Sequence, residues 1–148
     1  MYKKRASEEI GNLSKKDIKM IMVGLYWGEG SKSDNRFVFS NSDPGMVQLL
    51  VQGLQNVWKI HKKDFICRVL INKIHITRED EVLRFWHDLL ELHLEQFRST
   101  TFVKVKPKKE YENYNRYFGT LKVSIRKSSH LHSHFMGLID AVKGQDSV

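Results

Sequence analysis

The sequence predicts an α+β domain with helices packed on one face of a mostly antiparallel sheet. Three observations lead there. Segments with apolar residues at i, i+3, i+4 and i+7 alternate with short runs rich in β-branched residues, in the order helix, strand, helix, strand, helix, strand, strand, helix. The last two strand segments alternate residue by residue, so one face packs and the other is displayed. No internal repeat or low-complexity stretch interrupts the pattern, and 148 residues fit one domain. That domain is expected to span 14–142, between a loosely held polar N-terminus at 1–13 and a short tail at 143–148.

Ser14 opens the first helix, and Asp17 three residues on completes a capping box. Ile18, Ile21, Met22 and Leu25 form its apolar stripe, which runs to Gly28 and Gly30. Residues 36–40 read as a short strand ending at Asn41-Ser42-Asp43-Pro44, where Asp43 is an N-cap and Pro44 the first helical residue. The second helix is expected at 45–60. Residues 64–76 read as a strand, after which Thr77 caps a third helix with Glu79, Asp80 and Glu81 in its favourable first turn. Residues 101–106 then alternate with Val103 and Val105 on one side and Phe102, Lys104 and Lys106 on the other. A charged loop at 107–115 leads to a strand at 117–127, where Tyr117, Leu121, Val123 and Ile125 oppose Thr120, Lys122, Ser124 and Arg126. A last helix at about 131–142 turns Phe135, Leu138, Ile139 and Val142 inward.

Charge is concentrated. Of a net +8, nearly all lies between 96 and 130, where nine basic residues face only Glu110 and Glu112. Such a cluster, displayed on alternating strands, is the footprint of a nucleic-acid surface, and a two-stranded ribbon or curved sheet fits the major groove of double-stranded DNA. Stacking aromatics are few on that face, so a single-strand RNA reader is less well supported. One cysteine, Cys67, excludes an internal disulfide and a cysteine-rich zinc site and reads as a buried thiol. No apolar run approaches a membrane span, and the basic start has no apolar region behind it, so the expected location is cytoplasmic, with no membrane partner. His130, His132 and His134 are two apart at a helix start, which suits a structural or phosphate-facing role better than a metal site.

The most informative stretch is 22–31. Gly24 and Gly28 share one helical face, where absent side chains let a second backbone approach, alongside Ile21 and Leu25. Glu29 stands at the helix C-terminus, where the macrodipole disfavours a carboxylate and calls for a compensating partner. Residues 23–31, VGLYWGEGS, resemble the LAGLIDADG motif of homing endonucleases, variants of which read AGLIDGEGS, with matches at Gly24, Leu25, Gly28, Glu29, Gly30 and Ser31. Asn41-Ser42-Asp43-Pro44, Phe85-Trp86 and Phe118-Gly119 are similar to a compact bacterial branch of that family. Trp27 stands where the family often has an acid. The family's usual order places two strands before the second helix, and this sequence shows one.

The resemblance implies a LAGLIDADG-like domain and a site-specific double-stranded DNA endonuclease. Glu29 would be the metal-binding acid and the Gly28 carbonyl a further ligand of Mg²⁺ (or Mn²⁺). Lys122, preferred to Lys104, would be the lysine beside the scissile phosphate. Residues 135–144, FMGLIDAVKG, look like a second copy, but Val142 occupies the acid's position and too little chain follows to build another sheet. One motif per chain implies a homodimer paired through Ile21, Gly24, Leu25 and Gly28. Arg36, Ser40, Lys104, Lys106, Lys122, Ser124 and Arg126 are the expected DNA contacts, and no small-molecule substrate is expected. The competing expectation is a DNA-binding regulator or maturase-like protein that kept the fold without cleavage.

Overall fold

A computed structural model describes residues 1–104 and 114–145. The order expected for 14–142 is present: α2 (Lys15–Glu29), β1 (Val38–Asn41), α3 (Pro44–Asn56), β2 (Phe65–Asn72), α4 (Glu79–Leu90), β3 (Thr101–Val103), β4 (Thr120–Ile125) and α5 (Ser129–Lys143). Ahead of them, residues expected to be irregular form α1 (Tyr2–Ile10), a helix with no buried residue.

The strands form one mixed sheet in the order β1-β4-β2-β3. β4 is antiparallel to both β1 and β2, while β3 joins β2 in parallel. Alternation decides the layers. Phe65, Cys67, Val69 and Ile71 of β2 and Leu121, Val123 and Ile125 of β4 point to the helical side, where they join Met22 and Tyr26 of α2, Leu50 and Leu54 of α3, Trp86 of α4 and Phe135 and Ile139 of α5 in one core. Tyr26 stacks on Phe37 at 4.4 Å between ring centroids, and Phe135 meets both rings edge-on.

Local chemistry sets the boundaries. The Ser14–Asp17 capping box forms as expected, and Asp43 accepts from the amides of Gly45 and Met46 ahead of α3. α3 stops four residues short of the expected 60, at Asn56, and Lys59 then takes a left-handed conformation that turns the chain. β2 also ends early, because the Asn72 side chain accepts from the Ile74 amide at 3.0 Å and starts a 3-10 turn over Lys73–Arg78. Thr77 is therefore exposed inside a turn and caps nothing. β4 is shorter than the expected 117–127 because left-handed residues bound it, Gly119 at φ 72° and Lys127 at φ 47°. Gly119 is required there, since a Cβ would lie 2.5 Å from the Leu70 carbonyl oxygen. On β3 the expected sides are exchanged: Phe102 pairs with core-facing Ile71 and is half-buried, whereas Val103 is exposed. The parallel partner sets this register, which alternation within 101–106 alone does not reveal.

Arg78 fixes the approach to β4. Its buried guanidinium donates to the carbonyls of Tyr114 (2.6 Å), Asn115 (3.1 Å) and Tyr117 (2.9 Å) and pairs with Glu81 at 3.2 Å. It also lies 2.8 Å from His75 Nδ1, and because a guanidinium only donates, Nδ1 accepts and the proton sits on Nε2. His75 is itself buried against the Tyr114 ring, 4.4 Å away, and its Nε2 has no hydrogen-bond partner among the described residues. Burial, followed by the Arg78 charge, holds the His75 pKa below its ordinary value of 6.5. Above about pH 6.5 both the native and unfolded chains keep this ring neutral, and below it the unfolded chain binds a proton that the native one refuses. Stability should therefore fall as pH drops from about 6.5 toward the lowered native value. In urea titrations at pH 7.5 and 5.5, the wild type should lose more than a His75→Asn variant, and equal losses would remove His75 from the account.

Candidate nucleic-acid interface

The face of the sheet opposite the helices carries the even-numbered residues of β2 and β4. Pairing sets Ser40, Lys122 and Arg68 in one row across β1, β4 and β2, with Val38, Ser124 and Ile66 in the next row. Phe97 bridges Cys67, and the Arg98 amide donates to the Cys67 carbonyl at 2.7 Å, which brings Arg98 beside the same strand. The result is a concavity of about 490 Å³ lined by Arg36, Arg68, Arg98 and Lys122, with Thr101 and Ser124 among its polar walls and no acid among its lining residues. Four cations converging on one face need counter-charge, and no ion pair to any of them occurs among the described residues.

Of the residues expected to contact DNA, Arg36, Lys122 and Ser124 line this concavity, and Ser40 completes the Lys122 row. Arg126 is exposed just past β4, with its amide bonded to the Asp64 carbonyl, and lines the neighbouring concavity with Arg36 and Lys127. Lys104 follows the last paired residue of β3, and alternation places it on the Phe102 side, away from the row. Lys106 lies outside the described residues. Arg68 and Arg98 were absent from the expected set. The run Phe65-Ile66-Cys67-Arg68-Val69 contained the signal for Arg68, because an arginine between core-facing Cys67 and Val69 must face outward. Arg98 had only its place in the basic cluster. Cys67 is buried as expected, and burial pushes its thiol up to about 12.

Glu29 is the last residue of α2 and is exposed. The chain after it is firmly held. Gly30 bridges Phe39 and the Ser31 amide donates to the Val38 carbonyl at 2.9 Å, so the helix end enters at the edge of β1 beside Ser40. The Ser31 carbonyl accepts from the Tyr26 hydroxyl at 2.7 Å and faces His132 Nε2 at 3.2 Å, which gives buried His132 a structural task. His130 and His134 are exposed. Among the described residues no three His, Cys, Asp or Glu side chains cluster as a metal site. Glu29 therefore belongs to no such cluster among the described residues of one chain.

Gly24 and Gly28 are exposed, and a Cβ at either would meet nothing within 4 Å. Ile21 and Leu25 beside them are half-buried, and Met20 and Trp27 are 49% and 43% exposed. The outer side of α2 is thus a largely exposed apolar face among the described residues, with Lys143 of α5 5.5 Å over the Trp27 ring. No helix among the described residues is long and apolar enough to cross a membrane. Comparison with known proteins finds no matching family model, no matching curated protein and no matching solved structure.

The glycines of this segment separate by environment. A Cβ at Gly30 would overlap the Tyr26 ring, which Phe37 and the Ser31 carbonyl prevent from moving. Gly30→Ala should cost about 1–3 kcal/mol, as overpacking does. Gly24→Ala should instead gain up to about 1 kcal/mol of helix propensity. Thermal unfolding of the two variants checks the pair, and equal effects would contradict the packing described.

Proposed function

We propose that this chain binds double-stranded DNA on the open face of its sheet and, paired with a second copy, hydrolyses it as a Mg²⁺-dependent, site-specific endonuclease of LAGLIDADG type. The observation that carries the reading is the row Ser40, Lys122, Arg68 with Arg36 and Arg98 at its sides. The adjacent strands that carry Lys122 and Arg68 run about 5 Å apart, so both side chains can serve one stretch of phosphate backbone. Arginine forks suit phosphate oxygens or guanine edges, and Ser40, Ser124 and Thr101 add contacts that adapt to either donor or acceptor.

Cleavage rests on Glu29. A single carboxylate with a carbonyl is a sparse donor set, whereas Mg²⁺ commonly takes one or two carboxylates, waters and phosphate oxygens. Two copies joined through the Ile21, Gly24, Leu25 and Gly28 face would bring two Glu29 side chains together and fit the ion better than one chain does. When bound, the metal supplies neutralisation of charge on the phosphodiester oxygens. Lys122, two strands in from the Glu29 edge, would hold its ammonium against the phosphate and stabilise charge as it develops. The second reading, DNA binding without cleavage, draws on the lack of a complete metal-ligand cluster among one chain's described residues.

Two experiments separate the readings. Glu29→Gln should leave duplex affinity within a few-fold of wild type while abolishing Mg²⁺-dependent cutting of a randomised target library. If the wild type binds yet cuts no member, the binder reading replaces the nuclease. Arg68→Ala and Lys122→Ala should each lower the slope of log affinity against log salt by about one. Unchanged slopes in both would sink the open-face model.

A further inference from the structure

We infer that His75 and Arg78 form an acid-released latch: a proton taken up by the His75 ring frees the segment Tyr114–Phe118, which leads into β4, while the sheet stays folded. The site suits only a neutral ring. Its Nδ1 accepts from the Arg78 guanidinium at 2.8 Å, its Nε2 has no hydrogen-bond partner among the described residues, and the residue is 1% exposed. A second proton would make both ring nitrogens donors. One would then face a guanidinium that only donates and keeps its charge, and the other would face no acceptor. Rotating the ring exchanges one donor for another, so an imidazolium has to reach water.

What covers the ring is the part best able to move. Tyr114 stacks on His75 and the Tyr117 ring lies 5.5 Å from it, in a stretch whose residues as far as Phe118 are half-buried or exposed. The same turn holds that stretch: Arg78 gathers the carbonyls of Tyr114, Asn115 and Tyr117, and the Tyr114 hydroxyl donates to the Ile74 carbonyl at 2.9 Å. At its far end the Phe118 ring stacks on Phe85 at 3.8 Å and its carbonyl accepts from Trp86. The turn itself is continuous with β2 and α4, so the covering stretch yields first. Charge around the ring gives an imidazolium no relief. Arg78 is positive, and Glu81 of α4 is already paired with it at 3.2 Å, while Lys73 of the turn and Arg116 of the covering stretch are exposed cations. β3 brings no ionisable residue, and those of β2, Cys67 and Arg68, lie at least four residues before its end. Burial and the Arg78 charge hold the ring's pKa below 6.5, so release begins below that pH.

The test follows hydrogen exchange of the Trp86 indole N–H by NMR in the full-length chain, expressed as protection relative to the intrinsic rate at each pH. Between pH 7.5 and 5, wild-type protection should fall about tenfold, the size that linkage to one buried histidine allows. At pH 5 the indole should exchange indifferently to low urea, as a local opening does, while the β4 amides accelerate. His75→Asn takes up no proton there and should lose less than twofold. Indole exchange that follows urea in step with the β4 amides overturns the latch, because the chain then opens as a whole. Unchanged protection in the wild type overturns it too, and an equal fall in His75→Asn removes His75 as its trigger. Should that variant fail to fold, the wild-type His75 ring resonances decide: titration in step with the loss of indole protection supports the latch, and a ring that stays neutral while protection is lost overturns it.

Discussion

β4 is the strand on which the rest of the molecule depends. It hydrogen-bonds to β1 on one side and β2 on the other, pairing residues that lie fifty or more positions away in sequence. Its odd residues close the core and its even residues form the middle of the open face, so a one-residue slip would bury Lys122 and expose Val123. The register is protected at both ends. Gly119 combines a positive φ with the close approach of the Leu70 carbonyl, Trp86 Nε1 donates to the Phe118 carbonyl at 2.8 Å, and Arg78 gathers the carbonyls just before it. At the far end, Ser128 accepts from the Phe37 amide and donates to the Ile125 carbonyl, locking β4 to the segment before β1.

The same constraint links the two halves of the functional proposal. Fixing β4 against β1 fixes Lys122 relative to Ser40, and the Gly30–Phe39 bridge fixes the end of α2 relative to the same strand. The carboxylate of Glu29 is therefore exposed on a rigid mount. Tyr26 is the joint of that mount: its ring is fully buried, its hydroxyl holds the Ser31 carbonyl, and the space it occupies makes Gly30 obligatory. The proposed cleavage would require this acid to be held in a fixed position.

Much of this was legible in the sequence because the local signals were strong. The Ser14–Asp17 box, the Asp43-Pro44 start and the alternation through Leu121, Val123 and Ile125 all have mechanisms contained within a few residues, and each appears in the fold. The errors fall where distant partners decide. Phe102 lies on the core side because β3 pairs in parallel with β2, and Arg78 is held inward by carbonyls near residue 115. The outward direction of Arg68 follows from alternation alone, because Cys67 and Val69 on either side of it face the core. α1 has no buried residue to give it a packing signal, and propensity alone rarely marks so short a helix.

In the proposed complex, nucleic acid meets the molecule on the open face of the sheet. Mapping backbone amide shifts by NMR while adding duplex DNA at low salt, without divalent metal, tests it most directly. The account predicts shifts concentrated at residues 36–41, 66–70, 98–101 and 120–126, with α4 (Glu79–Leu90) undisturbed. Shifts centred on α4, or none at any position, would contradict it.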